Sequence, residues 1–180
     1  MKKILLVFMI TIMLGITHSE AQPPKAELYR SQQFGFQISY PHNWQQREPA
    51  PGAVFTIFKQ NQTAGISVNV ANFTGDKAIV MRQMETKNFR NNLVSGVKRR
   101  FPDATLLQYK KTSVGNSPAN LYIIQYTMKT ADSSSEIVSA QILSIYQKRA
   151  YSINLESAKA SFVENYDEFE RIVATFKFIQ

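Results

Sequence analysis

The sequence predicts an α+β domain in which helices lie on the faces of a twisted, mostly antiparallel sheet of about seven strands. Three observations carry this. Short segments alternate apolar and polar residues at period two, two longer segments recur near the helical period, and no repeat of roughly 20–50 residues is visible to suggest a solenoid or propeller. The 180 residues, 44% hydrophobic, 19% charged and 12% aromatic, suit one globular domain with one core.

The elements follow in chain order. Residues 1–21 open with Lys2 and Lys3, run through the apolar stretch Ile4 to Ile16 and reach small residues at Ser19 and Ala21, the order of a secretory signal cut after Ala21. That stretch is shorter than the roughly 20 residues a bilayer span needs, so export is expected, to periplasm or medium, with a soluble mature chain. Residues 22–33, with Pro23 and Pro24, read as an extended leader, and the single globular domain is expected over 34–180.

Phe34, Phe36, Ile38 and Tyr40 share one face of a half-buried strand that Pro41 ends. A turn then carries Trp44, the only tryptophan, expected to plug the end of the core. Pro49-Ala50-Pro51-Gly52 breaks the chain before a hairpin formed by Val54 to Phe58 and Gly65 to Val70. Between Gly75 and Pro102, the residues Val80, Met84, Phe89, Leu93, Val97 and Phe101 trace the apolar stripe of one long helix, capped by Thr74 or Asp76. Leu106 to Val114, Ala119 to Met128, Ile137 to Gln147 and Tyr151 to Leu155 read as a four-stranded meander. Phe162, Tyr166, Phe169, Val173 and Phe176 predict a closing helix, with Ser157 or Ser161 as its cap.

Chemistry is excluded more readily than assigned. The chain has no cysteine, which removes disulfides, thiolate metal sites, a cysteine nucleophile and a lipid-anchoring cysteine. Of two histidines, His18 falls in the signal and His42 in a turn, too few for a histidine metal cage or a Ser-His-Asp arrangement. Asn69, Asn72 and Asp76 lack the oxygen spacing of an EF-hand loop, and no phosphate-cradling, nucleophile-elbow or zincin motif occurs. Glu164, Asp167, Glu168 and Glu170 crowd the last helix; Glu164 and Glu168, four apart, are expected on its wet face. No cofactor and no metal are expected.

A formal charge of +8 favours anionic partners, and the expected ones are an acidic protein surface or an anionic membrane surface. The candidate partner-binding residues are Lys98, Arg99 and Arg100, Lys110 and Lys111, and Lys148 and Arg149, three groups able to form a basic patch. Lys98 to Arg100 also suit a helix C-terminus on dipole grounds alone. Nucleic acid is not an expected partner, because the chain is exported and shows no recognised binding motif.

The ordered combination Phe34-Gly35-Phe36-Gln37-Ile38-Ser39-Tyr40-Pro41-His42-Asn43-Trp44, Pro51-Gly52-Ala53-Val54-Phe55, the Gly115-centred segment Thr112 to Ala119, and Ala150 to Leu155 followed by Phe169 to Phe176 resembles the PsbP-like family. The resemblance covers most of residues 34–178 and implies an α/β/α sandwich. That sandwich is shared with extrinsic photosystem II proteins, bacterial periplasmic relatives and Ran-binding Mog-type factors, which bind proteins rather than turn over substrates. The resulting expectation is an exported, non-enzymatic accessory protein that docks on a protein assembly or membrane-associated partner. The alternatives are a periplasmic small-molecule or lipid carrier with its ligand between helix and sheet, and, below that, a cofactorless enzyme built on carboxylates.

Overall fold

In the computed structural model, which describes residues 26–179, ten strands form two antiparallel sheets and three α-helices complete the layers. The expected signal at 1–21 and the prolines of the expected leader lie outside the described residues. A three-stranded sheet has the order β1 (Ala26–Ser31), β2 (Phe36–Pro41), β10 (Lys177–Phe178), with β2 in the middle. Residues 26–31 therefore belong to the fold, pairing from Ala26↔Pro41 to Ser31↔Phe36, where the sequence placed a leader up to residue 33. Only Tyr29 and Ser31 of β1 are even half-buried, so its apolar periodicity is too weak to announce a strand.

The main sheet has seven strands: β3 (Trp44–Gln46), β4 (Phe55–Lys59), β5 (Ala64–Asn72), β6 (Thr105–Val114), β7 (Ser117–Lys129), β8 (Ser134–Tyr146) and β9 (Arg149–Ala158). Its spatial order is β3-β4-β5-β9-β8-β7-β6, antiparallel throughout. The expected hairpin and four-stranded meander are both present; β7 stops at Lys129, just before the polar run 130–136, and β8 begins inside it at Ser134. Gly115 turns β6 into β7 at φ +51°, and a Cβ there would come within 2.8 Å of the Phe178 ring.

From β5 the chain crosses one face of the sheet to its far edge, through α1 (Lys77–Met84) and α2 (Lys87–Lys98), before the meander returns to lay β9 against β5. The single long helix expected here is two. Asp76 caps α1 by accepting from the Ile79 amide at 3.0 Å; Thr86 then caps α2 by accepting from the Phe89 amide at 3.2 Å. The apolar stripe steps by five from Met84 to Phe89, a phase slip that one continuous helix would carry off its face.

On the opposite face, β2 and α3 (Phe162–Ala174) cover the major core, where Phe36, Trp44, Phe55, Ile153, Phe169 and Phe176 are fully enclosed. Burying side chains of this size contributes roughly 1.5–3 kcal/mol each. Trp44, 1% exposed, is the core plug expected of it. Ser161 occupies the N-cap position of α3 without a capping bond, whereas Ser157 lies buried in β9 and accepts from Asn165 at 2.9 Å. A smaller core under α2 joins Leu93, Val97 and Phe101 to Ala104, Ile124 and Tyr126.

Candidate binding site

The route of the chain leaves half of one sheet face uncovered. α2 runs over β6 and β7, packing Phe89 against Tyr122 at one end and Phe101 against Tyr126 at the other. α1 reaches the Ile145 end of β8, but no helix covers the same face of β9, β5 and β4, where polar residues alternate with core ones beside Phe58 and Ile137. The result is a trough of about 1140 Å³. Its floor carries Ser139 and Gln141 of β8, Asn154 and Glu156 of β9, and Ser67 and Asn69 of β5. One wall is α2, through Leu93, Val97 and the following Arg100 and Phe101; the other is the turn Ala50, Pro51 and Ala53.

The floor is internally bonded across strands. Gln141 and Asn154 stand opposite in register, as do Asn154 and Ser67. Gln141 Nε2 donates to Ser152 Oγ at 3.0 Å, Ser152 Oγ donates to Asn154 Oδ1 at 2.8 Å, and Asn154 Nδ2 donates to Asn69 Oδ1 at 2.9 Å and Ser67 Oγ at 3.3 Å. Asn69 Nδ2 donates to the Gly52 carbonyl at 2.8 Å, pinning the far wall to the floor. Tyr126 donates its hydroxyl to Glu156 at 3.0 Å; burial first, then the neighbouring carboxylate, pushes the phenol pKa up, so the tyrosine stays a neutral donor.

The seven basic candidates do not meet on one surface. Lys98 ends α2, Arg99 caps it, and Arg100 lies with its guanidinium 5.3 Å from the Phe101 ring centroid. Lys110 and Lys111 are consecutive in β6, so they leave opposite faces of the sheet: Lys110 approaches Glu170 on α3 at 3.8 Å, Lys111 pairs with Glu85 at 2.7 Å. Lys148 sits in the β8–β9 turn and Arg149 at the start of β9 beside Gly35, at the end of the sheet away from Arg100. Only Arg100 of the seven lines the trough.

The acidic helix also differs from its expected role. Glu164 is exposed, but Glu168, expected in water, has a side chain only 15% exposed. It accepts from Trp44 Nε1 at 2.7 Å and pairs with Lys59 Nζ at 3.0 Å. Lys59, 7% exposed, also donates to Glu164 at 2.6 Å and to buried Asn165 at 2.9 Å. Burial alone would raise the Glu168 pKa, but the bonds from Trp44 and Lys59 outweigh it and hold the carboxyl below its usual range. Lys59 is the mirror case: burial lowers its pKa, and the hydrogen bonds to Glu164 and Glu168 reverse this to a net rise. With every charge partnered, this cluster fastens α3 to β4. His42 is exposed in its turn, 3.1 Å from Glu27. Among the described residues no group of three or more His, Cys, Asp or Glu is placed to hold a metal ion, and no helix is long and apolar enough to cross a membrane.

A main antiparallel sheet with two helices on one face, and a helix and a small sheet on the other, defines an α/β/α sandwich domain. The chain belongs to the PsbP family, whose model matches residues 25–178. The fold is similar to the solution structure of cyanobacterial PsbP (CyanoP) from Synechocystis sp. PCC 6803, with a TM-score of 0.64, 12% identity, and 88% of this chain and 95% of that one covered. It is also similar to the Ran-binding protein Mog1p of Saccharomyces cerevisiae, with a TM-score of 0.58, 10% identity, and coverage of 88% and 97%. LpqN, a protein involved in cell envelope biogenesis of Mycobacterium tuberculosis, matches with a TM-score of 0.57, 11% identity, and coverage of 89% and 88%. None of the curated proteins compared with the chain matches it. At these identities the likeness to solved structures is one of fold.

Proposed function

We propose that this PsbP-family protein is an exported, non-enzymatic accessory domain that docks on an envelope-associated partner through the trough between α2 and the open half of the main sheet. The observation that carries this reading is the uncovered face itself: three adjacent strands, β5, β9 and β8, present hydroxyls and carboxamides to solvent between two walls. A domain that needed only to fold could cover or charge that face. Membership of a family that includes extrinsic accessory proteins, and a fold shared with a Ran-binding protein, supports binding over turnover. The secretory pattern of residues 1–21 supports export. The carrier alternative would place an apolar ligand in this same space, against Phe58, Leu93, Val97 and Phe101; the row of hydroxyls and carboxamides along the floor favours docking instead.

The test is in-cell photo-crosslinking from a reactive side chain at Ser139 or Gln141, compared with one at Lys177 on the opposite side. A defined envelope species captured from the trough alone supports the reading. Capture only from Lys177, or turnover of a defined substrate by the purified protein, overturns it.

A further inference from the structure

The trough's hydrogen-bonding pattern narrows what it can hold, granted that it is the docking face. We propose that it binds a neutral, polyhydroxylated chain: an uncharged oligosaccharide segment of the partner.

The first argument is what the floor withholds. β5 lies between β4 and β9, β9 between β5 and β8, and β8 between β9 and β7, so these strands spend their backbone amides and carbonyls on one another. An extended peptide adds to a sheet through a free edge, and the trough floor has no edge. Recognition there falls to side chains.

The second is what the side chains leave over. The bonds within the row use both amide hydrogens of Asn154 but only one of Gln141. One Gln141 hydrogen, its carbonyl oxygen, the Ser67 hydroxyl hydrogen and the Ser139 hydroxyl remain for a ligand. Gln141 and Ser139 face the trough from β8 and Ser67 from β5, two strand spacings or roughly 9.6 Å away across β9. Carboxamides and hydroxyls each offer donors and acceptors side by side, which matches ligand groups that are donor and acceptor at once. Hydroxyl groups are such groups; phosphates and carboxylates only accept.

The third is charge. In a chain of formal charge +8, the trough is lined by one cation, Arg100, and one carboxylate, Glu156, the latter already accepting from Tyr126. The site is electrically balanced and gives an anion no particular reason to enter. Leu93, Val97 and Ile137 supply apolar surface for the C–H faces of a sugar ring, and the volume exceeds the roughly 300–1,000 Å³ of ordinary small-molecule pockets, as a chain of several units requires.

The experiment is a titration of the purified protein, followed by amide and side-chain carboxamide NMR, with neutral hexasaccharides of glucose, mannose and N-acetylglucosamine. Polygalacturonate and an unstructured polar peptide serve as comparison probes. The expected result is that at least one neutral hexasaccharide shifts the Gln141 and Asn154 carboxamide signals. Its affinity should change less than about twofold between roughly 50 and 500 mM NaCl, since no ion pair is involved. Gln141→Ala should weaken it about tenfold through loss of the ligand-facing amide. Ser139→Trp, which fills the trough without removing the ladder, should abolish binding while the melting temperature holds, and Lys110→Ala should leave it unchanged. If the trough responds only to the peptide or to polygalacturonate, the oligosaccharide assignment falls and the docking face stands. If no probe perturbs the trough and crosslinks arise only from the opposite face, both fall. Failure of every neutral hexasaccharide to shift the trough signals overturns the inference by itself.

Discussion

Glu168 accepts the indole N–H of Trp44 at 2.7 Å, joining residues 124 positions apart, while its second oxygen lies 3.0 Å from the Lys59 ammonium. One carboxylate thus satisfies the single polar atom of a tryptophan that is otherwise sealed in the core and neutralises a buried lysine on β4. This is how α3, carrying its own apolar stripe, is fixed in rotation as well as position. Glu168→Gln should destabilise the fold by about 3 kcal/mol, the low end for breaking a buried pair, because Glu164 and Asn165 still hold the ammonium. Glu164→Gln, at an exposed carboxylate, should cost under about 1 kcal/mol. Urea denaturation of the two variants separates them; equal costs would reject the assignment.

The same pair sets a pH window. The folded pKa of Glu168 is depressed, so its contribution is complete above the unfolded value of about 4.3 and is lost as pH falls through the folded value. That of Lys59 is raised, so its contribution is complete below about 10.4 and is lost as pH rises through the folded value. Denaturation midpoints measured across pH should fall on the acid side in the parent and fall less steeply in Glu168→Gln. An identical acid limb in both would contradict this.

Trp44→Ala should cost about 3–5 kcal/mol through the cavity it opens beneath β3. Thermal unfolding checks it, and an unchanged melting temperature would be incompatible with a residue 1% exposed.

Thr86→Ala removes the hydroxyl that starts α2 and should cost about 1 kcal/mol. Hydrogen exchange at the Phe89 amide should accelerate beyond that of Ile79, whose cap is Asp76. Uniform acceleration in both helices would mean that the two act as one unit.

Lys110→Gln and Lys111→Gln should each leave the urea midpoint close to that of the parent, and the double variant should show the sum, because the two side chains work on opposite faces of the sheet. Marked non-additivity would show that they share a surface after all.

The meander, the β4–β5 hairpin and α3 were legible in the sequence because each buries one face, and burial imprints a period on composition. β1 was not, since an edge strand lying on exposed residues such as Leu28 leaves no such imprint. The division of α1 from α2 was present in the step of five from Met84 to Phe89, together with Thr86 three residues before Phe89. The trough was hidden for a topological reason. Ser67, Asn69, Gln141 and Asn154 read as the ordinary wet side of three strands, and only the order β5-β9-β8 makes them neighbours. Glu168 was misread because helical spacing reports which residues share a face and not what a distant turn brings to meet them. Lys59 sits at an even step from Phe55 and Ile57, the core face of β4, and was the one visible hint of a buried charge needing a partner.

The first and last described strands, β1 and β10, flank β2 in the small sheet, with the Ile179 amide donating to the Gly35 carbonyl at 3.0 Å. Whatever is joined to either strand therefore departs from the layer lying behind the main sheet. Ala26 stands opposite Pro41 and Phe178 opposite Phe36, so the chain enters that layer at one end of β2 and leaves it at the other, and a tether at one end would tip the domain the opposite way from a tether at the other. The end chosen for a fusion or for immobilisation therefore sets which rim of the hollow faces the support, and which faces the medium.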